Sequence, residues 1–71
     1  KSSLAVNDNG QFMVSMNRNA YLINNEKEII KIESGKNDFE SVIAYKNNFY
    51  LEQGGNFLIF DENGNNIETI F

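Results

Sequence analysis

Residues 42–70 read Val42-Ile-Ala-Tyr-Lys-Asn-Asn-Phe-Tyr-Leu-Glu-Gln-Gly-Gly-Asn-Phe-Leu-Ile-Phe-Asp-Glu-Asn-Gly-Asn-Asn-Ile-Glu-Thr-Ile70. Apolar runs of three to six residues alternate with asparagine and glycine, and no run reaches ordinary helix length. Phe49 and Leu51 alternate with Tyr50 and Glu52, the period of a strand with one buried face. Phe57-Leu58-Ile59-Phe60 is apolar throughout, which suits a strand covered on both sides. Asparagine tolerates positive φ and bonds its own backbone, so the breaks are turns.

The same grammar fills the other half. Thirteen asparagines and no proline punctuate the chain. Between them lie apolar segments near Leu4–Val6, Phe12–Met16, Ala20–Ile23, Ile29–Ile32 and Ser41–Tyr45, then the strands above and Ile67–Phe71. The chain therefore reads as about eight short strands joined by hairpin turns. Sliding it against itself by 37 positions lays residues 5–32 on 42–69 without a gap. Phe12 then meets Phe49, Asn19 meets Asn56 and Ile30 meets Ile67. Ten pairs are apolar on apolar, where chance placement at 41% apolar gives about five. We expect an all-β fold of two tandem four-stranded antiparallel meanders within a single β segment, 1–71. The first unit spans about 1–36 and the second about 37–71.

Composition narrows the functions. Seventy-one residues exclude a multidomain enzyme with a separate cofactor domain. Neither cysteine nor histidine occurs, which removes disulfides, zinc knuckles, thiol nucleophiles and Ser-His-Asp triads. No cofactor is expected. Ten acids against six scattered bases leave a net charge of −4 and no basic stripe, so nucleic acid is not an expected partner. No apolar run approaches the 18 or so residues of a membrane span. The compartment stays open, since absence of cysteine suits any of them.

The second unit resembles an NHL-type blade of a six-bladed β-propeller. Val42-Ile43-Ala44 stands where that family has a short inner strand, Phe49-Tyr50-Leu51 where it has an aromatic-hydrophobic pair, and Asn56 in the second turn. Ile59-Phe60-Asp61, Gly64 and Ile67 take the places of the third strand, glycine turn and outer strand. The first unit matches at Gly10, Met13-Val14 and Asn19, but Ile23-Asn24 replaces Phe-Asp and its third turn lacks glycine. The family's usual aspartate after the second strand is Glu52 or Gln53 here and Met16 in the first unit. Two blades do not close a ring. Three arrangements accommodate them: a fragment completed by further blades, identical chains assembled into a ring, or a small closed barrel or sandwich. The start at Lys1 and the strand running to Phe71 favour the fragment.

The acids give no catalytic or metal residue. Asp61, Asn63 and Asn65 have the odd-position spacing of a calcium loop. The sixth position is Asn66 where such a loop needs glycine, and its twelfth would fall beyond Phe71. Glu26 with Glu28, Asp38 with Glu40, and Asp61 with Glu62 are close in sequence but sit at turns, where solvated acids are the ordinary occupants. Aromatic and planar groups are the better lead. The resemblance implies that the second-to-third-strand turns and the connection between blades share one face. It would carry Asn17, Arg18, Asn19, Lys36, Asn37, Asp38 and Gln53. Tyr45 and Tyr50 are further candidates for a ligand or partner surface. Arg18, the only arginine, is a planar donor suited to a carboxylate or to sugar hydroxyls.

The expected function is a non-enzymatic binding or scaffolding segment of a propeller-like protein, contacting protein or carbohydrate through these loops. One alternative is part of a hydrolase or lyase with its catalytic residues on other blades. A small self-contained β interaction module is another.

Overall fold

The computed structural model describes residues 2–24, 28–33 and 37–71. They form eight strands: β1 (Ser2–Val6), β2 (Phe12–Met16), β3 (Asn19–Ile23), β4 (Ile29–Glu33), β5 (Val42–Tyr45), β6 (Asn48–Gln53), β7 (Asn56–Phe60) and β8 (Asn66–Ile70). Two antiparallel sheets result, ordered β1-β2-β3-β4 and β5-β6-β7-β8. The expected pair of four-stranded meanders is present, and among the described residues no strand of one sheet pairs with a strand of the other, as closure into a barrel would require.

Register fixes which side chains share a face, because neighbours alternate sides along a strand. In the first sheet, Ala5, Met13, Leu22 and Ile30 line up across the strands, as do Ser3, Ser15, Ala20 and Ile32. In the second, Val42, Leu51 and Leu58 line up, with Ala44, Phe49 and Phe60 beside them. These two faces meet. Met13, Ala20, Leu22, Val42, Phe49, Leu51 and Phe60 are buried in one cluster with Phe39 from the linker, flanked by Ala5, Ile30, Ile32, Ala44 and Leu58. Each fully buried Phe, Leu or Met contributes roughly 1.5–3 kcal/mol, so the contact between sheets is the main apolar term of the fold.

The gapless offset of 37 needs one correction. Met13 pairs with Ala5 and Leu22, while Tyr50 pairs with Ile43 and Ile59. The offset is thus 37 on the second and third strands and 38 on the first. Five residues separate the paired Val6 and Phe12, but only four separate the equivalent pair Ala44 and Phe49. A register shift between Ile59 and Phe60 also makes the offset 38 on the fourth strand. Asn66 stitches this irregularity, its Nδ2 donating to the carbonyls of Ile59 and Glu68 at 3.1 Å each. Ala5 therefore corresponds to Ile43 rather than Val42, and Ile30 to Glu68 rather than Ile67.

One turn type recurs, built on an Asn or Asp side chain. The Asn7 N–H donates to Gln11 O (3.0 Å), Asn7 Oδ1 accepts from the N–H groups of Asn9 (3.1 Å) and Gln11 (2.9 Å), and Gly10 N–H returns to Asn7 O (3.0 Å). Asp61 makes the same pattern with Asn63, Gly64 and Asn65. Asn24 shares its frame, exchanging bonds with the backbone of Glu28. Gly10 and Gly64 sit at φ 79° and 85°, where a side chain is strained. Gly64 has a second constraint: a Cβ there would come within 3.1 Å of Ile30 Cγ2. The β7–β8 turn of one unit thus rests directly on the last strand of the other.

The Asn7 turn also clasps the two sheets. Asn7 Nδ2 donates to Gln11 Oε1 (2.7 Å) and to Asn47 O across the junction (3.0 Å). Gln11 Nε2 reaches Glu62 O (2.8 Å), Asp8 N–H reaches Lys46 O (2.8 Å), and Asn9 Nδ2 reaches Glu62 Oε1 (2.6 Å). Asn7 and Gln11 are buried, so each orphaned partner costs about 1–3 kcal/mol. Asn7→Ala is expected to destabilise the chain by about 3 kcal/mol in urea unfolding, while Asn65→Ala, in an exposed turn, changes it by less than about 0.5 kcal/mol. Equal losses for the two would contradict the clasp.

For Asp61, burial acts to raise the carboxyl, but the N–H groups of Asn65, Asn63 and Gly64 and the Asn65 side chain outweigh it and hold it below the usual range. A lowered folded-state value stabilises above the unfolded carboxylate value and is lost as pH falls through the folded one. The stability advantage of the native chain over Asp61→Asn should therefore shrink between about pH 6 and about pH 2, read from urea midpoints. A constant gap would mean that the turn does not sense the charge.

Candidate functional site

Three chain segments converge at the end of the molecule opposite the Asn7 clasp. The β2–β3 turn is the two-residue Asn17-Arg18, with Asn17 at φ 57°. The β6–β7 turn is Gly54-Gly55, at φ 57° and 85°, both positive as a type I′ hairpin requires. Between them runs the linker from Asn37 to Ser41. It is anchored by Phe39, whose side chain is buried and whose N–H donates to Asn17 O at 2.7 Å. Glu40 N–H donates to Glu52 O and Glu52 N–H to Ser41 O, both at 2.8 Å, so the linker runs as an added edge along the end of β6.

This packing sets the polar groups. Gln53 Nε2 donates to Asn37 O at 3.1 Å. Arg18 Nε lies 3.7 Å from Asp38 Oδ1, with the two side chains 65% and 61% exposed. Asn19 opens β3 opposite Met16 and Glu33 at the same end. The structure thus brings together Asn17, Arg18, Asn19, Asn37, Asp38 and Gln53. Lys36 lies outside the described residues. Chemically, this end offers one guanidinium, one carboxylate and several amides, all reachable from solvent, which suits hydrogen bonding to hydroxyls or carboxylates.

The two tyrosines lie elsewhere. Tyr45 ends β5 at the clasp side, exposed, with Lys46 Nζ 5.4 Å from its ring centroid. Tyr50 lies mid-strand between Ile43 and Ile59, on the face of the second sheet turned away from the first. The acid pairs have structural occupations. Glu28 Oε1 accepts from Asn24 Nδ2 (2.8 Å), Asp61 holds its turn, and Glu62 accepts from Asn9. Glu26 lies outside the described residues. Among those described, no group of three acidic side chains is close enough to hold a metal ion, and no helix is long and apolar enough to cross a membrane.

Sequence reading missed two features. The buried pair Asn7 and Gln11 has an Asn-x-Asn-Gly-Gln signal, which repeats as Asp-x-Asn-Gly-Asn at 61–65. The second is a pair of outward apolar faces, whose side could not be chosen from alternation alone. In comparisons with family models, curated proteins and solved structures, the chain matches none.

An exposed pair at 3.7 Å contributes little to stability. Arg18→Ala should leave the urea midpoint within about 0.5 kcal/mol of the parent, which frees this side chain for a role other than holding the fold. A loss several times larger would make Arg18 structural.

Proposed function

We propose that this chain is a non-enzymatic binding or scaffolding segment of a β-propeller-like protein. Its loops Asn17–Asn19, Asn37–Asp38 and Gln53–Gly55 contact a protein or carbohydrate. The observation that carries the reading is the gathering of three separate segments at one end of two stacked, equivalent meanders. Backbone bonds at Phe39, Glu40 and Glu52 hold the gathered segments, and their polar side chains stay exposed. A rigid scaffold that presents polar loops is the usual arrangement of a recognition surface. Blade-like units stacked through apolar faces supply such a scaffold, and propellers host binding functions of many kinds.

Arg18 directs the ligand chemistry. Its guanidinium matches a carboxylate in a two-point fork, and the neighbouring amides match hydroxyls, a pairing that a carboxylate-bearing sugar satisfies at once. Titration of the isotopically labelled chain with a sialic acid glycoside, followed by amide chemical shifts, should perturb residues 17–19, 37–38 and 53–55 saturably. Arg18→Ala should abolish the effect. Perturbation centred on Tyr45 and Lys46 would move the site to the other end. No response to that sugar, to mannose or to a peptide panel would overturn the reading.

A further inference from the structure

The two outward sheet faces are the counterparts of the two surfaces that already meet inside the molecule. Unit one presents Ala5, Met13, Ala20, Leu22, Ile30 and Ile32 to unit two. By register, their equivalents in unit two are Ile43, Tyr50, Phe57, Ile59, Glu68 and Ile70, and these form the face turned away from unit one. The receiving surface is Val42, Ala44, Phe49, Leu51, Leu58 and Phe60. Its equivalents in unit one are Leu4, Val6, Phe12, Val14, Tyr21 and Ile23, which form the other outward face. Eleven of these twelve outward positions are apolar. The exception, Glu68, sits on the last strand, where its counterpart Ile30 is only partly buried.

Solvated sheet faces are normally polar. Here Leu4 is 62% exposed, Val6 51% and Ile43 55%. One outward face repeats the donor side of the established junction and the other repeats the receiving side, so each is complementary to the other but not to itself. This describes a heterologous contact.

We infer that each outward face is covered by the opposite outward face of a second copy of this chain, head to tail, repeating the junction between units one and two. The inference deepens the stacked-blade reading and rests on it. The polar seam can repeat in part: Ser3 Oγ accepts from Val42 N–H at 3.1 Å, and the equivalent pair is Ser41 Oγ with Leu4 N–H of the next copy. Glu52 takes the place of Ser15 and already accepts from Ser41 Oγ at 3.0 Å. The Asn7 clasp does not repeat, because Lys46-Asn47 is a bare two-residue turn. The contact between copies is therefore weaker than the one within the chain, and assembly depends on concentration.

The test is the mass of the full chain in solution by sedimentation and light scattering, with two variants. Leu4→Glu spoils one face and Ile43→Glu the other, and circular dichroism checks that both keep the sheet fold. The parent should form multiples of 8.1 kDa that grow with concentration. Each variant alone should stay at 8.1 kDa, and an equal mixture should give a one-to-one dimer of about twice that mass through the remaining pair of intact faces. A parent that stays at 8.1 kDa at every concentration overturns the inference and leaves the faces to other units or another partner. So does a variant that dimerises with itself, which would indicate a face-to-face contact. Mass is read without ligand, so failure of the loop surface to bind a sugar leaves this outcome unaffected.

Discussion

The structure depends on a buried amide. Asn7 is almost completely enclosed, and its side chain serves three tasks: it folds its own turn, pairs with Gln11, and crosses to the carbonyl of Asn47 in the other sheet. Gln11 extends the crossing to Glu62 O. A buried amide is costly unless its donors and acceptors are met, and only one relative placement of the sheets meets them. Apolar faces alone would tolerate sliding. The clasp at this end and the Phe39–Asn17 bond at the other fix the two meanders in one register and thereby set where the loops stand.

The chemistry of the inner and outer faces follows from that fixed placement. On β2, the face that packs against the second sheet holds Met13 and Ser15, while the more apolar set Phe12, Val14 and Met16 points away. The richer apolar stripe of this sheet therefore faces outward, with Phe12 and Met16 exposed. Among the described residues Ser15 Oγ is buried without a hydrogen-bond partner, beside Ser3 and Ala20 in the register. Small residues along this line leave room for the larger Phe49, Leu51 and Phe60 opposite.

Much of this was legible in the sequence. Strand existence, the two-unit repeat and the turn positions followed from short apolar runs set between asparagines and glycines, because period and turn chemistry are local properties. The gathering of Arg18, Asp38 and Gln53 at one end followed from the meander topology, which the propeller resemblance supplied. The side each strand buries was not legible. Phe12-Met13-Val14-Ser15-Met16 is apolar at both parities, and only the long-range contact with the second sheet decides between them. The gapless repeat was one residue out on the outer strands because a turn length and a register shift change spacing without changing hydrophobicity. Aromatic content marks Tyr45 and Tyr50 as further surface candidates without placing them, and strand geometry sends one to the far end and the other to a sheet face.

Held at both ends, the two meanders should unfold as one cooperative body. Native-state hydrogen exchange in low urea tests it through the Asp8 and Phe39 amides, which donate to Lys46 O and Asn17 O of the other unit. In a single cooperative body both amides exchange with the free energy and urea dependence of core amides on β2 and β6, by global unfolding. Exchange of Asp8 and Phe39 through a smaller opening, while β2 and β6 stay protected, would show that the sheets separate without unfolding and would contradict it.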